Sequence, residues 1–373
     1  MNVLHICNGY ADSKVHSNLT KVLDNLGIIQ TVYCPVREAR FLGCNQFEGK
    51  NIEFIYSLCI KPWYKYVYQY KRWKLYRDMK SVIELSKFDI IHAPTLFSDG
   101  GLALKTYKEF GIPYVVAVRN TDVNIFIKKL KHTHYIGREI ALCAQKIFFI
   151  SKGEMDEFVT SDFVRPILSQ IKSKIILQPN GVESYWLHHI SKEQRIGHKI
   201  LYIGDFSPNK NICRLIEAIK LLRENVKYAD LKLVIVGGGK EKNTSTRRMI
   251  ESNSEFIEYL GKIYEKDKLV EIMRQCSLFA MPSIHETFGL VYIEALSQNL
   301  PIIYSKGQGV DGLFDRTIGE RVNALSIDEI CDAIYRILEE PSNYSNGNVD
   351  FTVFDWNMIA NNYKKYYEEI CDF

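Results

Sequence analysis

Pro282-Ser283-Ile284-His285-Glu286-Thr287-Phe288-Gly289-Leu290-Val291-Tyr292-Ile293-Glu294-Ala295 follows an apolar run, 278–281, and passes into a helical pattern. The run reads as a buried strand, and the next residues as a loop that opens a helix over 288–296. Glu286 then sits in the loop and Glu294 about two turns into the helix. Gly289 lets a backbone approach a ligand closely, and the first helical N–H groups have no partner within the helix. Such donors, with the helix dipole, suit a diphosphate, and a carboxylate on either side could accept hydrogen bonds from sugar hydroxyls. Taken alone, the two glutamates read rather as a helix cap and a solvated surface charge.

The strand–loop–helix pattern recurs outward in both directions. Strands are predicted at 2–6, 29–34, 52–56, 90–92, 114–118, 146–150 and 174–177, most of them separated by helical patterns such as 17–26. The rhythm restarts with strands at 199–203, 231–236, 257–260, 278–281 and 301–304. Helices follow at 212–222, 267–275, 288–296 and 326–338. Parallel strands need crossovers, and helices usually supply them, so two doubly wound α/β domains are expected. The polar stretch 188–197 between the two series reads as a linker. The expected domains are therefore 1–187 and 198–352, and the aromatic-rich helix 353–373 could pack on either. Ligands of such sheets bind at the carboxyl ends of the strands, which in two facing domains border a cleft.

A chain of 373 residues suits two domains, and 46% hydrophobic with 25% charged residues is ordinary globular composition. The net charge of +4 does not by itself imply a nucleic-acid partner. No apolar run is long enough to span a bilayer, and no signal-peptide pattern opens the chain. Nine scattered cysteines without a Cys-x-x-Cys pair read as reduced thiols in a cytoplasmic protein, with neither disulfides nor a metal site.

His-Glu-x-Phe-Gly-Leu-x-x-x-Glu-Ala at 285–295 resembles the signature of glycosyltransferase family 4, retaining enzymes of the GT-B fold. Gln178-Pro179-Asn180-Gly181-Val182-Glu183, Tyr202-Ile203-Gly204 with Pro208-Asn209-Lys210-Asn211, Val234–Gly239 and Tyr259-Leu260-Gly261 resemble further family segments in the family's order. The likeness is strong over 175–303 and general before it. It implies two Rossmann-like domains facing across a cleft, with a nucleotide-sugar donor held mainly by the C-terminal one. By the same resemblance Glu286 contacts the donor sugar and Glu294 the ribose. Lys210 stabilises the departing diphosphate, an electrostatic catalysis that needs no metal or other cofactor. Gly289 and Leu290, next to Phe288, give N–H groups to the phosphates, Gly204 ends the first strand of the domain, and Ile263 lies beside the base.

Three positions depart from the family pattern. Asp205 stands where an arginine is common. Arg119 stands where a histidine near the sugar is expected; it could donate to sugar or phosphate, or pair structurally with Asp122. Asn8-Gly9-Tyr10 has one glycine, Gly9, where two are common.

The segment from Lys61 to Arg77 is basic and aromatic, and Trp63, Lys71, Arg72 and Trp73 are its candidate contacts. It reads either as a surface for an acceptor or an anionic membrane, or as a plain helix with its aromatics turned inward. Single-stranded nucleic acid would need more basic surface than this.

The expected activity is hexosyl transfer to a glycan or lipid-linked acceptor in surface polysaccharide synthesis, in the cytoplasm or peripherally at the inner face of the plasma membrane. Two alternatives remain: a nucleotide-sugar epimerase, and a non-catalytic GT-B subunit that supports an active partner.

Overall fold

The computed structural model describes residues 1–239, 244–314 and 316–371. Inter-residue contacts divide the chain into two compact units, one of residues 1–150, 154–181 and 356–373, the other of 151–153 and 182–355.

The first unit contains seven parallel strands: Asn2–Ile6 (β1), Ile29–Pro35 (β2), Ile52–Ser57 (β3), Ile90–Ala93 (β4), Tyr114–Ala117 (β5), Lys146–Phe149 (β6) and Ile175–Leu177 (β7). They lie in the order β3-β2-β1-β4-β5-β6-β7. Runs such as Tyr114–Ala117 are buried at every position, as a sheet covered on both faces requires. On one face the helix Trp356–Cys371 contributes Trp356, Ile359, Tyr363 and Tyr367 to a cluster with Val3, Leu19, Leu23, Val115 and Phe148. Ile359 and Tyr367 are essentially solvent-free, and each such side chain is worth about 1.5–3 kcal/mol of burial. Gly181 makes room for this helix, because a Cβ there would lie 2.6 Å from the Trp356 ring.

The second unit contains six parallel strands: Lys199–Gly204 (β8), Lys232–Gly237 (β9), Ile257–Gly261 (β10), Leu278–Ala280 (β11), Ile302–Ser305 (β12) and Gly319–Val322 (β13). Their order is β10-β9-β8-β11-β12-β13. Counted from its own first strand this is 3-2-1-4-5-6, the Rossmann order. The order reverses between β8 and β11, the place where such sheets receive ligands. The helix Ile327–Glu339 beside this sheet starts with a capping pattern: Ser326 Oγ accepts from Glu329 N at 3.2 Å, with Asp328 and Glu329 in the first turn.

The stretch 188–197, expected to link the domains, is packed into the second unit. Ser191 N–H donates to Ser297 O at 2.8 Å, Asn299 Nδ2 donates to Lys192 O at 3.0 Å, and Gln298 Nε2 donates to His189 O at 2.9 Å. Its polar sequence is explained by these bonds around the end of the helix Leu290–Ser297. Apart from the short excursion at 151–153, the chain passes between the units at 181/182 and 355/356, where Val182 pairs with Asp355 in a parallel bridge.

Candidate functional site

The loops that follow β8, β11 and β12 are tied into one assembly at the switch point of the second sheet. In the first of them, Asn209 bonds the second loop from both ends of its amide. Its Nδ2 donates to His285 O at 2.8 Å, and its Oδ1 accepts from His285 N at 3.0 Å. Asn211, held at φ 59°, donates from Nδ2 to Pro282 O at 2.9 Å and to Ala324 O at 2.5 Å. A short polar side chain tolerates that left-handed conformation, so one residue both turns the chain into the helix Ile212–Arg223 and fastens the two loops.

This places Lys210 against Glu286. Nζ lies 2.7 Å from Glu286 Oε2, with both side chains largely buried, and Ser283 Oγ is 3.3 Å from the same oxygen. The third loop holds the Glu286 backbone. Its N–H donates to Gln308 Oε1 at 3.1 Å, and its carbonyl accepts from Gly309 N at 2.8 Å.

Two glycines enclose the Glu286 side chain. Gly289 has φ 76°, and a Cβ there would lie 2.5 Å from the Tyr292 ring and 3.2 Å from Glu286 Cγ. Gly309 has φ 55°, and a Cβ there would lie 3.0 Å from Glu286 Cγ. Gly289 also ends as the N-cap of the helix Leu290–Ser297 without a side-chain cap, so the first N–H groups of the helix stay available to an anion. Phe288 is buried, 6.1 Å from the Phe354 ring, which leaves its backbone as the part that can serve a ligand. Leu290 and Ile263 are half-buried, and Gly204 ends β8 in contact with β9: a Cβ on Gly237 would lie 2.0 Å from Gly204 O.

Glu294 lies in the same helix, and its carboxyl is pushed up to about 7, first by burial and then by the nearby Glu183, with Lys266 opposing. Lys266 itself is paired with Glu183. Asp205, the acid in place of a common arginine, accepts from Ser207 N at 2.7 Å and so braces the turn that leads to Lys210. Its carboxylate is an exposed structural cap.

In the first unit, Arg119 follows β5. Its Nε donates to Pro94 O at 3.2 Å, after β4. Asp122 does not pair with the guanidinium. It accepts from the backbone N–H groups of Leu96, Phe97 and Arg119 at 3.0–3.1 Å, and burial still raises its carboxyl to about 6. Gly9 has φ −95°, and a Cβ there would meet only His16 Nε2 at 3.9 Å, so the backbone does not demand glycine. Asp99, which the sequence did not single out, accepts from Asn8 N at 3.1 Å and from Thr95 Oγ1 at 2.8 Å; burial raises it to about 6.

The four candidates in the basic aromatic segment separate. Trp63 and Trp73 are exposed, whereas Lys71 and Arg72 turn inward. Burial lowers the Lys71 ammonium, with Asp99 opposing, and the Arg72 stem packs where a Gly101 Cβ would lie, 2.9 Å from Cδ. Lys71 shares its i, i+4 row with the buried Leu75 and Met79, a spacing that betrays the orientation. Among the described residues no group of three or more His, Cys, Asp or Glu side chains is arranged to hold a metal ion.

Residues 189–347 match the family described as glycosyl transferases group 1. Over 312 residues the chain is 26% identical to an uncharacterized glycosyltransferase of Methanocaldococcus jannaschii, covering 80% of each. It is 25% identical over 286 residues to the UDP-Gal:alpha-D-GlcNAc-diphosphoundecaprenol alpha-1,3-galactosyltransferase of Escherichia coli, covering 71% of this chain and 72% of that one. Among solved structures, sucrose-phosphate synthase from Thermosynechococcus elongatus superposes with a TM-score of 0.72 over 99% of this chain and 98% of that one, at 18% identity.

Proposed function

We propose, from the premise that this chain is a GT-B glycosyltransferase with a group 1 domain, that it transfers a hexose with retention from a nucleotide-sugar to a lipid-linked or glycan acceptor. This is the chemistry of family 4, directed to surface polysaccharide synthesis on the cytoplasmic side of a membrane. The observation that carries the reading is the Lys210–Glu286 pair at the switch point, beside the uncapped start of the helix Leu290–Ser297.

The residues divide the work by charge. Lys210 and the N–H groups after Gly289 meet the diphosphate, where negative charge grows as the glycosidic bond breaks. Glu286 is released from Lys210 by the incoming phosphates and turns to the sugar hydroxyls. Glu294 accepts from the ribose, and Ile263 lies against the base. Lys210 and the helix terminus are the positive groups set against the diphosphate in this reading, and it assigns no role to a metal. UDP is the first donor nucleotide to try, because the E. coli relative is named for UDP-Gal.

The test is a thermal-shift panel of UDP-, GDP-, ADP- and CMP-linked sugars, with and without EDTA, followed by sugar release with each ligand that stabilises the chain. One nucleotide class should raise the midpoint, insensitive to EDTA, and Lys210→Ala and Glu294→Ala should both lose the effect. A shift that appears only with divalent cation, or that survives both substitutions, would overturn the assignment of the site.

A further inference from the structure

Residues 54–77 contain no Asp or Glu and six Lys or Arg, more positive charge than the net +4 of the whole chain. The structure folds the later part of this stretch into the short turn Pro62–Tyr66 and the helix Tyr68–Val82. The helix is anchored on one side by Leu75, Tyr76 and Met79, all buried. On the other side three rings form a row: Trp63 lies 5.1 Å from Tyr70, and Tyr70 lies 5.7 Å from Trp73. Trp63 is 48% exposed and Trp73 41%, whereas the other two tryptophans of the chain, Trp186 and Trp356, are buried.

Two cations lie against the last ring of the row. The Arg77 guanidinium is 5.0 Å from the centre of the Trp73 ring and Lys74 Nζ is 5.8 Å from it; Lys61, two residues before Trp63 in sequence, is exposed. Tyr66 and Val67, at the turn into the helix, are exposed as well. Amphipathic rings bordered by long-stemmed cations, in a stretch with no acid from 54 to 77, match a bilayer headgroup layer. Indole and phenol rings settle at the carbonyl level and ammonium or guanidinium groups settle among the phosphates. A folded protein partner would be expected to meet such a patch with carboxylates at discrete points, whereas the cations here are spread along the segment from Lys61 to Arg77, as suits an anionic plane.

We infer that Trp63, Tyr70 and Trp73, flanked by Lys61, Lys74 and Arg77, form a docking face for an anionic lipid bilayer. The first unit rests on the headgroups through this face without crossing them. The inference does not depend on donor binding, and its test contains no nucleotide.

The whole chain is mixed with vesicles of phosphatidylcholine alone or of phosphatidylcholine with phosphatidylglycerol, and cosedimentation and tryptophan emission are read. The chain should sediment with the anionic vesicles only, with a blue-shifted emission that weakens as salt is raised. Because the other two tryptophans are buried, the shift reports on Trp63 and Trp73. Lys74→Ala with Arg77→Ala should weaken binding more than tenfold, at about fivefold per cation. Trp63→Ala with Trp73→Ala should remove the blue shift and most of the binding. Both double variants replace exposed side chains, and an unchanged melting midpoint shows that they are folded. Equal binding to both vesicle types, binding unaffected by either double variant, or binding to single-stranded oligonucleotide without binding to vesicles would overturn the inference. So would a dimer of the chain that the tryptophan substitutions dissociate, since the face would then join two copies.

Discussion

Lys210 Nζ and Glu286 Oε2 lie 2.7 Å apart, each neutralising the other in a largely buried setting, although they stand 76 positions apart in the chain. A diphosphate that takes Lys210 must break this pair, so the two residues should respond to substitution with opposite signs in binding. Glu286→Gln removes the competitor, and a nucleoside diphosphate should bind about fivefold tighter or more, since a largely buried pair is worth at least the ~1 kcal/mol of an exposed one. Lys210→Ala should weaken the same ligand, and either change should lower turnover by about 10²-fold or more. Titration calorimetry with the free nucleotide, beside initial rates, reads both. Weaker binding by Glu286→Gln would remove the competition argument.

The Glu294 carboxyl, raised to about 7, makes donor binding depend on pH near neutrality. Only its ionised form is a full acceptor for ribose hydroxyls, so affinity for a nucleotide-sugar should fall about fivefold from pH 8 to pH 6. Glu294→Gln should bind more weakly and flatten the profile. Stability moves the other way. In the unfolded chain this carboxyl ionises near 4.5, in the folded chain near 7, so folding becomes less favourable as pH rises between those values. Glu294→Gln should therefore be more stable than wild type at pH 8, by about 1 kcal/mol after solvent screening, and equal to it at pH 4. Melting midpoints at the two pH values check this.

Gly289→Ala should cost about 2 kcal/mol or more, because it puts a Cβ into the Tyr292 ring at a φ of 76°. The ring is itself held by the Tyr292 hydroxyl, 2.5 Å from Met281 O, and cannot easily yield. Gly261→Ala is the control. That glycine also has positive φ, but nothing lies within 4 Å of an added Cβ, so it should lose only about 1 kcal/mol. Equal losses in urea melts would show that strain alone, without the ring, sets the cost.

Protonation of its buried histidines should loosen the first unit in acid, against Asp99 and Asp122, whose raised carboxyls favour the folded form as pH falls. His92 Nδ1 is 2.5 Å from the Tyr367 hydroxyl, and the His5 and His92 rings lie 5.3 Å apart. Burial lowers His5 to about 4 and His92 well below its ordinary value. A histidine buried as the neutral form contributes stability above about 6.5 that is lost as pH falls toward its folded value. His5→Gln should reduce the acid sensitivity between pH 6 and pH 4. Trp356 emission, followed through that range, reports whether its helix is released.

Much of this architecture is legible from residue type. A strand covered on both faces must be continuously apolar, and 114–117, 278–280 and 302–305 announce themselves in that way. Gly319–Val322 does not, because an edge strand reading Gly-Glu-Arg-Val buries only its ends. At the site, Glu286, Gly289 and Lys210 stand out by their setting after strands. Asn209, Asn211 and Gln308, which fasten the three loops, look like ordinary turn residues until their partners 22–113 positions away are known. The inward turn of Lys71 was within reach of helical spacing, whereas the bonding of 188–197 to Gln298 and Asn299 has no local signature.

The helix Trp356–Cys371 belongs to the unit that begins at Met1, so the two units differ in how their chains are supplied during synthesis. The second is almost entirely one contiguous stretch and can close its core once residue 355 has left the ribosome. The first waits, with Val3, Leu19, Val115 and Phe148 uncovered, until the last helix emerges. The order expected from this connectivity is the reverse of the usual one, in which the earlier domain finishes first, and the uncovered sheet face is the segment expected to need a chaperone.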